Sequence, residues 1–188
     1  MVKKLYINLR KYVLILLAKS LWGEKINYMK KKKLKVLGID PGQSRSGAVL
    51  LNDYKIDKFF LEDNDKFLSR ITAGEFSNID TVGIEIIIPY GIVGKTIMET
   101  AEWIGMFRHA FEASGIKRDN ILRLSRKSIC SYWLNSRAND AKIRARMIEE
   151  FGKPGTKKKQ GPTYGITYDV WSGLAVVGYT YYLTKETK

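Results

Sequence analysis

The eight residues from Thr81 to Ile88, Thr-Val-Gly-Ile-Glu-Ile-Ile-Ile, are apolar almost throughout. A strand with one wet face alternates apolar and polar residues. An unbroken apolar run rich in β-branched side chains, flanked by helical patterns, is instead a strand covered on both faces. Covering both faces of a sheet takes helices on both sides, so this run places the chain in the α/β class. It also makes Glu85, the one acid inside it, the wrong residue for its surroundings.

The remaining segments supply what such a sheet needs. Lys35 to Asp40 and Gly47 to Asn52 are β-rich runs joined by a Gly/Ser turn, and Lys55 to Glu62 follows a short Asn52-Asp53 turn. Three sequential strands on short connections are antiparallel neighbours. Asp63 to Ala73 reads as a helix with Phe67, Leu68 and Ile71 inward, and from Gly94 to Phe111 apolar residues recur at helical spacing. Ile121 to Ser125 is a further short strand, and Asn139-Asp140 caps a helix whose inner face is Ile143, Met147 and Phe151. Lys153 to Pro162 carries two prolines and two glycines, too many breakers for regular structure, and a last apolar helix runs from about Thr167 to Leu183. The order is β-β-β-α-β-α-β-α-α: a mixed five-stranded sheet, three antiparallel strands then parallel ones, with helices on both faces. His109 reads as structural, and Cys130 and Trp133 as core or dimer surface.

The 188 residues suffice for one sizeable core, and 45% hydrophobic residues exclude wholesale disorder. Thirty-three Lys and Arg against nineteen Asp and Glu leave a net charge of +14, which favours a polyanionic partner, either nucleic acid or an anionic membrane surface. The excess is uneven: +10 over residues 1–35, −5 over 36–116, +9 over 117–159 and zero thereafter. An acidic middle between basic segments suits a site that gathers metal cations beside a surface that gathers phosphates. Solvated lysines account for a charge run equally well. A single cysteine excludes an internal disulfide, and no Cys/His cluster suggests zinc, so an intracellular, cytoplasmic protein is expected.

Residues 1–28 read as an extension of unsettled role. The apolar run Tyr12 to Ala18 falls far short of the ~20 residues that span a bilayer, and no stable membrane association is expected. Met29, followed by four lysines and the first strand, is an alternative candidate start.

Most of the acids fall in turns or on polar helix faces. Three do not: Asp40 closes the first strand, Glu85 interrupts the apolar run, and Asp169 opens the last helix beside Trp171. A buried, unpaired carboxylate costs several kcal/mol or becomes neutral, and no Lys or Arg adjoins any of the three in sequence. A divalent metal would satisfy all three together. Hard cations take carboxylate oxygens, and two of them roughly 4 Å apart clamp the attacking and leaving oxygens of a phosphoryl transfer. Private partners, such as a distant Arg or backbone N–H groups, are the competing account. The turn holding Gly42, Ser44, Ser46 and Gly47 admits another chemistry, the phosphate loop of sugar kinases and actin-like ATPases. Those proteins carry two copies of this topology, and 188 residues hold one.

The ordered segments GIDPGQSRSGAVLL, VGIEIII, YGIVGKTIMETAEWIGMF, NDAKIRARMIEEFG and GTKKKQGPTYGITYDVWSGLAV resemble the RuvC-like Holliday junction resolvases, especially phage and prophage variants, over about Leu34 to Tyr181. The resemblance implies an RNase H-like fold in a single nuclease domain over residues 29–188, a homodimer, and two Mg²⁺ or Mn²⁺ ions per active site. The activity it implies is paired nicking of four-way DNA junctions, leaving 5′-phosphate and 3′-hydroxyl ends. A less specific nuclease or a junction-binding protein without activity would share the fold. Asp40 matches the family's first-strand aspartate, Glu85 its mid-chain glutamate, and Asp169 the first acid of its final helix. Where the family has a second acid one helical turn later this chain has Ser172, whose hydroxyl can hold a metal-bound water. Tyr90, with Ile88, occupies the region where family members insert a side chain at the junction centre. Tyr90 suits stacking on an unpaired base, or packing on the Gly91 turn. Lys95, Lys157, Lys158 and Lys159 are expected to touch DNA phosphates.

Overall fold

The computed structural model describes residues 33 to 187 apart from Tyr90. The Met29 start, the extension before it and the role of Tyr90 lie outside the described residues. Five strands form one sheet: β1 (Lys35–Pro41), β2 (Arg45–Asn52), β3 (Lys55–Asp63), β4 (Thr81–Ile86) and β5 (Ile121–Ser125). Their order is β3-β2-β1-β4-β5. β1 pairs antiparallel with β2, and β2 with β3. β1 pairs parallel with β4, and β4 with β5. This is the mixed sheet expected from the sequence.

Helices cover both faces. α1 (Asn64–Thr72) and α2 (Lys95–Ala113) lie on one, where Phe67, Phe107 and Phe111 pack on Leu37, Ile39, Val82 and Ile84. α3 (Arg126–Trp133), α4 (Asp140–Phe151) and α5 (Val170–Glu186) lie on the other, where Trp133, Met147, Leu174 and Val177 pack on Val36, Val49 and Leu124. The period of two along each strand therefore assigns Leu37 and Ile39 to one layer, and Val36, Gly38 and Asp40 to the other.

Three glycines let α5 lie close against the sheet. A Cβ on Gly38 would overlap the backbone of Val177, one on Gly83 would overlap Thr180, and one on Gly47 would come within 2.6 Å of the Asp169 carbonyl. Gly38 and Gly83 are register partners across β1 and β4. The helix is thus seated on bare backbone, and its first turn lands beside the end of β1.

Two elements differ from the sequence reading, and the structure fills in further local detail. β4 ends at Ile86, the last residue paired with β5, so Ile87 and Ile88 are exposed instead of buried. α3 was not anticipated: Ser125 caps it by accepting the Ser128 N–H at 3.1 Å, and Trp133 anchors it by donating Nε1–H to the Ala175 carbonyl at 2.9 Å. Trp133 and Cys130 belong to the core, and His109 is exposed. Lys153 to Pro162 is ordered, with Gly155 bridging Gln160 and Thr156 exchanging backbone hydrogen bonds with Lys159 at 3.0 and 3.1 Å. There the glycines make a tight hairpin: Gly155 sits at φ 72°, and a side chain on Gly161 would overlap the Lys153 carbonyl. Among the described residues no helix is long and apolar enough to cross a membrane.

Candidate active site

Parallel strands place their C-terminal ends at one edge of the sheet, and in open α/β sheets that edge is where ligands bind. Asp40 ends β1 and Glu85 nearly ends β4. Ile39 pairs with Ile84, so the two acids follow in register, both facing α5. Asp40 also pairs with Gly47 on β2, and the Asp169 backbone rests on that glycine. Three segments far apart in sequence thereby meet, with Glu85 and Asp169 both within electrostatic range of Asp40.

The environments of the three differ from the uniform burial expected. Asp40 is half-buried and the Glu85 side chain is 13% exposed, but Asp169 is exposed. Asp169 stands at the N-terminus of α5, ahead of the helix and just after Tyr168 in a left-handed turn at φ 46°, where solvent reaches it. Its presence follows from position beside the other acids, and burial has no part in it.

A protein cation also reaches the site. Arg126, two residues beyond Leu124 on the α5 face of β5, lies 3.7 Å from Glu85 and forms an ion pair with Asp140 at the start of α4. It donates to the Ser172 hydroxyl at 3.3 Å. Ser172 in turn hydrogen-bonds the Asp40 carboxylate. Ser172 is therefore a link between Arg126 and Asp40. The absence of a basic neighbour in sequence concealed this partner; strand alternation from Leu124 was the signal that would have revealed it.

Electrostatics show where positive charge is still lacking. Burial first, then the charges of Glu85 and Asp169, push the Asp40 carboxyl well above its ordinary range, against weaker opposition from Arg126 and Ser172. Burial also pushes Glu85 up; Arg126 pulls it down and Asp140 pushes it further up. Burial disfavours the Arg126 charge, yet Glu85 leads the surrounding acids in holding it protonated. Glu85 Oε2 is buried without a hydrogen-bond partner. A buried carboxylate oxygen with no hydrogen bond, its ion-pair partner Arg126 standing off at 3.7 Å, beside a second carboxylate fits a hard divalent cation, and Asp40, Glu85 and Asp169 are the residues that could hold it. Among the described residues no three Asp, Glu, His or Cys side chains form a ready-made metal cage.

Clefts open on both sides of Asp169. One of about 490 Å³ is bordered by Asp140, Arg144, Tyr168, Trp171 and Ser172; another, by the β1–β2 turn, includes Gln43, Arg45 and Tyr168. A third exposes Glu85, Ile88 and Arg126. Tyr168, 80% exposed, stands between the first two and was not singled out from the sequence. Asn64 was also passed over. Fully buried, it accepts from Ser46 at 2.6 Å, donates to the Gly42 carbonyl at 3.0 Å and gives its own N–H to Ser44 at 2.9 Å. Those bonds, with Gly42 N–H to the Arg45 carbonyl at 3.1 Å, commit the Gly/Ser turn to a hairpin.

The remaining candidates stand outside this cluster of contacts. Lys95 pairs with Glu99 at 3.4 Å, one turn along α2, and Lys157, Lys158 and Lys159 are exposed on their hairpin. Among the described residues no hydrogen bond or ion pair joins these lysines to the three acids.

No family model and no curated protein matches the sequence. Solved structures do match. Thermus thermophilus RuvC superposes with a TM-score of 0.60 at 14% identity, covering 82% of this chain and 96% of the other. The same figures hold for T. thermophilus RuvC in complex with Holliday junction substrate. The yeast mitochondrial Holliday junction resolvase Ydc2 gives 0.51 at 17% identity, with 82% of each chain covered. The fold is that of RuvC. In this RuvC-like, RNase H-type arrangement, the pairing of β1 with β4 is what sets Asp40 beside Glu85.

Proposed function

We propose that this protein is a metal-dependent endodeoxyribonuclease that resolves four-way (Holliday) or other branched DNA junctions by paired nicks. The observation that carries the reading is the convergence of Asp40, Glu85 and Asp169 at the C-terminal edge of a RuvC-type sheet, with Glu85 Oε2 lacking a hydrogen-bond partner. Mg²⁺ or Mn²⁺ bound there would supply Lewis acidity and charge neutralisation for phosphodiester hydrolysis.

The chain's own groups then have separate tasks. Asp40 and Glu85 are fixed by strand pairing, so their geometry does not depend on a mobile loop. Ser172 orients Asp40, and Arg126 holds Ser172 and Glu85. In the hydrolysis a water oxygen bonds to phosphorus, the bond from phosphorus to the 3′ oxygen breaks, and that oxygen takes up a proton. The products are a 5′-phosphate and a 3′-hydroxyl. Lys157, Lys158, Lys159 and Lys95 would contact the DNA backbone, giving affinity without sequence reading. Tyr90 and Ile88, beyond the end of β4, would meet the junction centre.

Paired nicks require two sites, hence a homodimer. Its support is the outer face of α2, where Met98, Ala101, Gly105 and Met106 are exposed at helical spacing. The working unit proposed is residues 29–188, acting inside the cell. The test is a cleavage assay on a mobile four-way junction and on linear duplex, in Mg²⁺ and in Mn²⁺, with wild type and Asp40→Asn. Junction cutting that Asp40→Asn abolishes is the expected result. Equal nicking of both substrates means a less specific nuclease, and salt-sensitive junction binding without cutting means a binding protein.

A further inference from the structure

Arg126 changes the count of positive charges the site needs. We propose that this site takes one divalent cation, held by Asp40 with Asp169, and that the Arg126 guanidinium is its second positive charge, presented to a phosphate oxygen. The inference rests on the nuclease reading above and departs from the two-ion arrangement that the family resemblance implies.

Four observations lead there. Glu85 already has a charge partner, because Arg126 lies 3.7 Å from its Oε2, although that oxygen accepts no hydrogen bond. Asp140, the other partner of Arg126, is 89% exposed and solvated. Asp40 and Asp169 remain, two negative charges that one divalent ion balances, and the Asp169 backbone rests on Gly47, the register partner of Asp40. Finally, Ser172 replaces the second acid of the last helix, and its hydroxyl accepts from Arg126. A cation beside Ser172 would meet a neutral oxygen and an adjacent guanidinium, and like charges at that spacing repel.

Arginine suits this place. Its charge does not titrate away, and its planar fork carries five donors. Ser172, Glu85 and Asp140 engage only part of that fork, leaving N–H groups for a phosphate oxygen. Lysine would keep the charge but lose the fork.

The test counts metal on the purified full chain, with Mn²⁺ alone as the probe, by paramagnetic resonance and calorimetry. Wild type is expected to bind one Mn²⁺ per chain, with no spin coupling between ions. Ser172→Asp should still bind one, its new carboxylate being captured by Arg126. Arg126→Gln should bind Mn²⁺ about tenfold more tightly, since a nearby positive charge has gone. Arg126→Gln with Ser172→Asp should bind two ions with a coupled spectrum. Arg126→Lys should resemble wild type in ion number, and thermal melts of every variant identify any that fail to fold. Two coupled Mn²⁺ ions in wild type, with junction cleavage intact, would overturn this inference and leave the nuclease reading standing. So would an Arg126→Gln protein that folds and binds metal as wild type does. No Mn²⁺ bound and no junction cut by wild type overturns both.

Discussion

Asp40→Asn should make the metal-free protein more stable while removing its activity. The half-buried Asp40 carboxylate faces the charges of Glu85 and Asp169, opposed by Arg126 and by one hydrogen bond from Ser172. Burying an ion costs on the order of several kcal/mol, and those two partners offset part of it. Asparagine keeps the shape and can still accept from Ser172, so about 1–2 kcal/mol should be recovered near neutral pH. In a domain of this size 1 kcal/mol moves Tm by about 2–4 °C, giving a rise of about 2–8 °C. The pH dependence has a definite sign. The folded carboxyl titrates above its ordinary value of 3.8, so its charged form weakens the fold. That penalty is absent below the ordinary value, grows as pH rises through the raised one, and is complete above it. The difference between variant and wild type should therefore be full near neutral pH and shrink toward acid. Millimolar Mn²⁺ should close it from the other side by stabilising wild type more than the variant. Thermal melts in chelator and in Mn²⁺, across a pH series, provide the measurement. A variant no more stable than wild type in chelator at neutral pH would refute the reasoning, as would a difference that does not shrink in acid.

Other consequences are quicker to check. Gly38→Ala should cost about 3 kcal/mol or more in urea unfolding, because its Cβ overlaps the Val177 backbone and α5 cannot settle on the sheet. Replacing Lys157, Lys158 and Lys159 together by Ala should leave Tm within about 1 °C, since none makes a side-chain bond that supports the fold, and surface changes of this kind are small. The same variant should weaken junction binding and reduce the slope of log affinity against log salt by about 2–3, measured by fluorescence anisotropy. Tyr168→Gly should raise stability by up to about 1 kcal/mol by relieving the left-handed backbone at φ 46°, and calorimetry will detect it. A loss of junction binding in the same variant would mark the exposed ring as a DNA contact.

The sequence by itself determined the class of fold, the antiparallel pairing of the first three strands and two of the three acids as misfits. These are properties of period and burial: an unalternating run such as Thr81 to Ile86 can only be covered on both faces, and a carboxylate within it conflicts with that cover. Local capping also left its trace in Ser125 and Ser128, although α3 was not read from it. Tertiary structure alone decided who meets whom. Asp169 looked buried by its neighbours in sequence, yet the turn at Tyr168 turns it to solvent, and it joins the site because α5 rests on Gly47. Arg126 looked unrelated to Glu85, forty-one positions earlier, until the parallel pairing of β4 with β5 brought their strand ends together. Sequence periodicity fixes which face of an element a residue occupies. The charge that residue will feel depends on which faces are brought into contact, and for Asp40, Glu85 and Arg126 that was decided by the pairing of strands distant in the chain.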